Sequence, residues 1–233
     1  MTTTARPANV LPTHIGVIMD GNRRWAKAAG MARVSAGHRA GADHLADLLR
    51  WLTSRDIRHA SVYVLSADNI RKRDADEVAQ LFRLVEELVP AWLGKSDEWQ
   101  LHIAGDLGLL PASCATVLTD ALRETEGRRS HLTLAIGYDP KQSLVEAVRA
   151  LLAAGEAPEG DALVQAIDAH LPGGPVKDID LVIRTSGERR ISGFFPWQSQ
   201  GAEIVFSDTM WPAFTESDLD AALAEYARRR GSR

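Results

Sequence analysis

The 233-residue chain contains one cysteine, Cys114. That excludes an intrachain disulfide and any zinc site built from two or four thiolates, and it fits a reducing compartment. Long hydrophobic runs are missing as well. No stretch approaches the roughly 18 apolar residues of a membrane span, and Met1–Val10 lacks the charged-then-apolar order of a secretion signal. A cytoplasmic location is therefore expected. Nor is there an excess of positive charge: 27 Lys and Arg against 31 Asp and Glu leave a net charge of −4. That excludes a general electrostatic field for nucleic acid, and Arg228-Arg229-Arg230 reads as the solvated cationic end of a helix. The chain also has no G-x-x-x-x-G-K-[ST], no G-x-G-x-x-G and no H-E-x-x-H, and its seven histidines are scattered.

What remains is an ordinary globular mixture, 45% apolar and 25% charged, able to bury a core without staples. Six short, apolar, β-branched runs recur: Ile15–Met19, Ser61–Leu65, Leu101–Ala104, Leu132–Ile136, Leu181–Arg184 and Ile204–Phe206. Helical periodicity fills the intervals, and this alternation predicts an α/β fold. The expectation is a single domain over residues 13–233, a six-stranded, mostly parallel sheet flanked by helices, after a loose arm at 1–12. Leu45, Leu48, Leu49 and Leu52 mark one amphipathic helix. Val78, Leu81, Phe82, Val85, Leu88, Val89 and Trp92 mark a longer one, ending near Pro90–Gly94. Its apolar stripe is wider than one sheet contact needs, which suits either core packing or the wall of a lipid-lined groove. Ala154–Pro158 and Pro172–Pro175 flank a short helix around Ala162–His170, and neither is long enough to link domains.

Polar residues collect where the strands end, the place where open parallel sheets bind ligands. After the first strand comes Asp20-Gly21-Asn22-Arg23-Arg24-Trp25. A carboxylate, a glycine and two arginines entering a helix could hold Mg²⁺ and a polyphosphate, or could be a capped turn with surface arginines. Arg33 and Gly37-His38-Arg39-Ala40-Gly41 could add N–H groups and cations to an anion site, or could simply be solvated. Ser66-Ala67-Asp68-Asn69, followed by Arg71-Lys72-Arg73, could orient a substrate or cap a helix. The most informative stretch is Arg184-Thr185-Ser186-Gly187-Glu188-Arg189-Arg190-Ile191-Ser192-Gly193. Its arginines and hydroxyls after a buried strand are costly unless an anion compensates them. Glu203 reads equally as a metal ligand or an edge-strand charge. One strand-end acid, many arginines, no nucleophile and a broad apolar helix describe a pocket for a diphosphate attached to something greasy.

These blocks, in this order, resemble the cis-prenyltransferase family. The strongest are His14 to Ala26, Gly37 to Gly41 and Asp180 to Ser192, completed by Trp197-Gln198, Ala202-Glu203 and Trp211-Pro212. The resemblance implies a homodimer with a hydrophobic tunnel, using isopentenyl diphosphate and an allylic prenyl diphosphate with Mg²⁺. On this chain it implies that Asp20 and Glu203 serve the metal. Gly21, Asn22, Arg23, Arg24, Trp25, Arg33 and His38 would bind the allylic diphosphate, and Arg184, Arg190 and Ser192 isopentenyl diphosphate. Ser66 and Asn69 would lie with Asp20 near the reacting atoms, and Val64, Phe82 and Val85 would wall the tunnel.

The chain departs from the family pattern in three places. Ser66-Ala67-Asp68-Asn69-Ile70 lacks the usual aromatic residue, and the longer basic run leaves open which of Arg71, Lys72 and Arg73 replaces the usual arginine. Gly137-Tyr138-Asp139-Pro140-Lys141 stands for N-Y-G-G-R. Gly193, Pro196, Ser199, Gln200 and Gly201 interrupt a usually apolar segment. Val64 lies two residues before Ser66, where strand alternation would aim it at the tunnel entrance and stop elongation early. A short or medium Z-prenyl diphosphate is expected; a long product would bring peripheral membrane contact. The alternatives are irregular head-to-middle coupling and a non-catalytic partner subunit. Asp20, Arg24, Arg184, Arg190 and Glu203 argue against the second, since a scaffold has no need of them.

Overall fold

The structure, a computed structural model, describes residues 10–232 except Lys95 and Glu156. Most of the expected arm lies outside the described residues. Of its end, Pro12 is buried, and the Thr13 backbone N–H donates to Asp180 Oδ2 at 2.7 Å.

All six expected strands form: β1 (His14–Ile18), β2 (His59–Ser66), β3 (Trp99–Ala104), β4 (Ser130–Tyr138), β5 (Leu181–Arg184) and β6 (Glu203–Phe206). They make one sheet in the order β3-β4-β2-β1-β5-β6, every pair parallel. Several run longer than their apolar cores. His59, Ser130 and His131 open strands with polar residues, which apolarity alone does not reveal.

Helices α1 (Asn22–Ala28), α2 (Val34–Ser54), α3 (Ala67–Lys72), α4 (Ala75–Leu93), α5 (Ala112–Glu124), α6 (Pro140–Ala153), α7 (Asp161–His170) and α8 (Glu216–Gly231) fill the connections. The leucines of α2, the stripe of α4 and Leu118 of α5 pack with Ile15 and Val17 on one sheet face. On the other face Ile18, Val182, Phe194 and Phe195 form a second cluster. Successive residues of β1 thus serve opposite cores, the period-two rule of a doubly covered sheet. Pro90 does not end α4, which continues to Leu93.

From β1 the chain passes to β2 on one side, while β5 pairs with β1 on the other. Strand order therefore reverses beside β1, and the ends of β1 and β5 open a crevice there.

At the amino end of the sheet His14, His59 and His131 lie in one register row, with His102 nearby. The His59 and His131 rings stack at 5.0 Å, and His102 Nε2 lies 2.9 Å from His131 Nδ1. Burial and then the neighbouring His59 push His14 from 6.5 to about 3. Burial and then His131 push His102 from 6.5 to about 4. His59 and His131 are lowered chiefly by burial. A native state that binds fewer protons than the unfolded chain loses stability as pH falls from about 6.5 towards 4. Thermal melts of His102→Gln/His131→Gln should therefore show a flatter dependence of Tm on pH in that window than wild type; identical slopes would contradict the assignment.

Candidate active site

The crevice is organised by one ion pair. Ile18 and Arg184 are register partners, so β1 and β5 release their chains side by side. The Arg184 guanidinium, its side chain 5% exposed, donates to Asp20 Oδ2 at 2.7 Å. It also donates to Ser192 Oγ at 2.7 Å and to the Arg190 carbonyl at 2.5 Å. A buried guanidinium is tolerable only with such partners. Thr185 clips the strand ends together: its hydroxyl accepts from the Asp20 N–H at 2.9 Å and lies 2.7 Å from the Asp20 carbonyl.

Gly21 is required here. Its φ is +105°, and a Cβ would meet Ser186 Cβ at 2.8 Å and Met210 Cβ at 2.9 Å. The space it leaves lets the loop after β5 close on α1, where Arg24 donates to Ser186 Oγ at 2.5 Å. Ser186, Ser192 and Phe195 have positive φ of 74°, 49° and 41°, so the segment after β5 holds three non-glycine residues in the left-handed region. Such strain persists only where surrounding structure enforces it. Glu188 pairs with Arg190.

A cavity of about 1330 Å³ opens over these groups. Of the expected site residues, Asp20, Gly21, Asn22, Arg23, Arg24, His38, Val64, Ser66, Asn69, Arg184, Arg190 and Ser192 line it. Eight Lys or Arg side chains face four carboxylates among its lining residues, in a chain whose net charge is −4. Positive charge is thus concentrated in one cleft, as anion binding requires. Burial lowers His38 below the ordinary imidazole range, against the pull of Glu77, which favours the neutral ring.

Several of the expected site residues lie away from the cleft of this chain. Trp25 and Arg33 do not line the cleft; Arg33 is the exposed N-cap of α2. Phe82 and Val85 are buried in the main core, and α4 presents Leu81 to the cavity instead. A helix stripe that wide meets both α2 and α5, which accounts for its breadth. Gly37 and Gly41 lie inside α2 rather than at its start. A Cβ on either would collide with Asn22, so they serve the close packing of α1 on α2. Arg39 turns outward to Glu87 at 2.6 and 2.7 Å.

Glu203 opens β6 opposite Leu181, three residues upstream of the Phe206–Arg184 pair. That is about 10 Å along the sheet from Arg184 at strand rise, and its carboxylate lies 3.5 Å from Arg229 of α8. Within one chain it does not join Asp20. Of the basic run, Arg71 and Arg73 line the cleft, while Lys72 pairs with Asp68 at 2.9 Å. Ser66 lines the cavity and also caps α3, accepting from the Asn69 N–H at 3.0 Å. Val64 does line the cavity, but not through simple alternation. The β2–β4 register shifts between Tyr63 and Leu65, so Val64 is the extra residue of a bulge.

Sequence reading passed over Tyr138, Asp139 and Lys141 as lining residues, and Glu77 beneath Arg73. The altered Gly137–Lys141 block was the available signal for the first three. Glu77 gave none, since an acid in a first helical turn is commonplace.

A cationic cleft at the strand-order reversal of a parallel α/β sheet is suited to binding phosphate esters. Comparison with known proteins narrows the assignment. The family model described as putative undecaprenyl diphosphate synthase matches residues 18–232. An isoprenyl transferase of Streptomyces fradiae is 44% identical, covering 96% of this chain and 90% of that protein. A (2Z,6E)-farnesyl diphosphate synthase of Mycobacterium tuberculosis is 41% identical, covering 95% and 87%. Among solved structures, lavandulyl diphosphate synthase from Lavandula x intermedia, in complex with dimethylallyl diphosphate, superposes with a TM-score of 0.86 at 30% identity, covering 94% of this chain and 97% of that one. The chain belongs to the cis-prenyltransferase family and is a prenyltransferase.

Asp20→Asn removes the charge and leaves one oxygen acceptor where the Gly21 N–H and Arg184 use two. Its Tm should fall, because the buried Arg184 loses its counter-charge, while prenyl transfer by the folded variant, assayed well below that Tm, falls at least about a hundredfold. Near-normal turnover in that variant would remove Asp20 from the chemistry.

Proposed function

We propose that the protein condenses isopentenyl diphosphate with an allylic prenyl diphosphate, with Mg²⁺, to give a short Z-prenyl diphosphate. The Asp20–Arg184 pair carries this reading, because it joins two sets of phosphate-binding groups across one cavity. On one side Gly21, Asn22, Arg23, Arg24 and His38 suit the allylic diphosphate. On the other, Arg184, Arg190 and Ser192 suit isopentenyl diphosphate. Ser66 and Asn69, between Val64 and Arg71 on the wall, are placed to orient the reacting carbons.

Among the described residues no three His, Cys, Asp or Glu side chains gather as a metal cage. One carboxylate, Asp20, facing a diphosphate pocket nevertheless fits Mg²⁺, which is commonly held by one or two carboxylates plus phosphate oxygens and water. Bound there, Mg²⁺ would neutralise charge on the departing diphosphate. We assign the metal to Asp20 and not to Glu203 of the same chain. Arginines around the diphosphate stabilise its negative charge as the allylic bond breaks. The apolar wall holds the prenyl tail and excludes water while the isopentenyl double bond attacks and a proton is lost. A homodimer and a cytoplasmic location belong to the same proposal. Among the described residues no helix is long and apolar enough to cross a membrane.

Product length follows from the floor of the cavity. Val64 and Leu81 line it, whereas Phe82, Val85 and Val89 lie in closed core. A growing chain would have to displace packed side chains, and overpacking costs about 1–3 kcal/mol. Turnover assays with isopentenyl diphosphate and primers of increasing length should give short Z-products that disappear with EDTA. Chains of ten or more units would refute the length, and no product from any primer the activity. Val64→Ala should shift the distribution upward by at least one unit; an unchanged profile would clear Val64 of that role.

One observation favours a second reading. Asp139, Pro140 and Lys141, the altered strand end, line the same cavity, where they could redirect coupling between two allylic diphosphates. A branched product from dimethylallyl diphosphate alone would establish it.

A further inference from the structure

Glu77 is an acid placed beside an anion site. It stands in the first turn of α4 and does not line the cleft, yet three of the cleft's basic side chains converge on it from three parts of the chain. Arg73, from the segment after α3, has Nη1 3.1 Å from Glu77 Oε1. His38 Nε2, from α2, lies 3.7 Å from the same oxygen. Arg23 Nη1, from α1, lies 3.7 Å from Oε2. The Glu77 side chain is 20% exposed and that of His38 6%, so these interactions are only partly screened.

The helix itself does not explain this carboxylate. Asp74 already caps α4, its Oδ1 accepting from the Asp76 and Glu77 N–H groups at 3.0 and 3.1 Å. For a ligand the local charge of Glu77 is unfavourable, since a carboxylate repels phosphate. Its compensating effect is on the cations. Arg23 and Arg73 repel one another across a site that must be held open before ligand arrives. A guanidinium has donors on more than one edge, so each can rest on Glu77 and still offer donors to a diphosphate. Glu77 also favours the charged form of His38, opposing the burial that lowers it.

From this convergence we infer that Glu77 is a positioning residue for the allylic diphosphate: a partly buried counter-ion that holds Arg23, His38 and Arg73 in their binding arrangement. The inference rests on the proposed function for the identity of the ligand. It leaves the isopentenyl diphosphate groups untouched, because Arg184, Arg190 and Ser192 are organised separately through Asp20.

The test compares wild type, Glu77→Gln and Glu77→Asp in steady-state kinetics, varying each substrate in turn. It adds calorimetric binding of inorganic diphosphate in the presence of saturating isopentenyl diphosphate. In Glu77→Gln the primer KM and the inorganic diphosphate Kd should each rise about tenfold, as for loss of one charge-assisted interaction. The isopentenyl diphosphate KM should change less than twofold, and Glu77→Asp should recover part of the loss. In an Arg73→Met background, adding Glu77→Gln should cost less than it does alone. An unchanged or lower primer KM overturns the inference, as does an equal rise in both KM values with a fall in Tm. If wild type elongates no allylic primer while Glu77→Gln still weakens inorganic diphosphate, the functional reading fails and the positioning role stands.

Discussion

Arg184 is the constraint on which the rest of the site depends. A guanidinium buried at the end of a parallel strand must be met by a carboxylate and further acceptors, or the fold loses several kcal/mol. Asp20, Ser192 and the Arg190 carbonyl meet it. Asp20 follows β1, whereas Arg190 and Ser192 lie in the loop after β5, so pairing Arg184 brings the β1 turn and that loop to one place. The positive-φ residues Gly21, Ser186 and Ser192 are the local consequences. On the proposed function, electrostatic satisfaction and substrate recognition would use the same atoms, and a diphosphate would meet groups already oriented.

The second consequence is spatial separation of charge. Cations gather in the cleft of a chain that is net acidic, while acids elsewhere pair with arginines on the surface, as Glu225 does with Arg228 and Arg229. On the proposed function this concentration of charge would let two anionic substrates share one cavity. Behind the cations Phe82, Val85 and Val89 lie in closed apolar core, which on the proposed function would leave little depth for a lengthening tail.

Much of this was legible in the sequence because periodicity and strand ends are local signals. Leu181–Arg184 matched its strand without adjustment, and the Asp20 and Arg184 blocks met as the parallel topology requires. What escaped was set by packing between distant elements. Phe82 and Val85 share a helix face with Leu81, and only the position of α5 decides which of them meets the cavity. Gly37 and Gly41 look like phosphate-loop glycines until Asn22 is seen against them. Val64 reached the cavity through a bulge that alternation cannot foresee. Sequence position leaves Glu203 open between metal ligand and edge-strand charge, and strand register puts it at the start of β6, three residues from the Phe206–Arg184 pair.

The central claim is that one cavity binds two diphosphates on opposite sides of Asp20. A crystal structure with isopentenyl diphosphate and an unreactive thiolo analogue of an allylic diphosphate tests it most directly. The account predicts one diphosphate over Gly21–Arg24 and His38, the other on Arg184, Arg190 and Ser192, with Asp20 between them. Both diphosphates on one side of Asp20, or either of them bound outside this cavity, would contradict it.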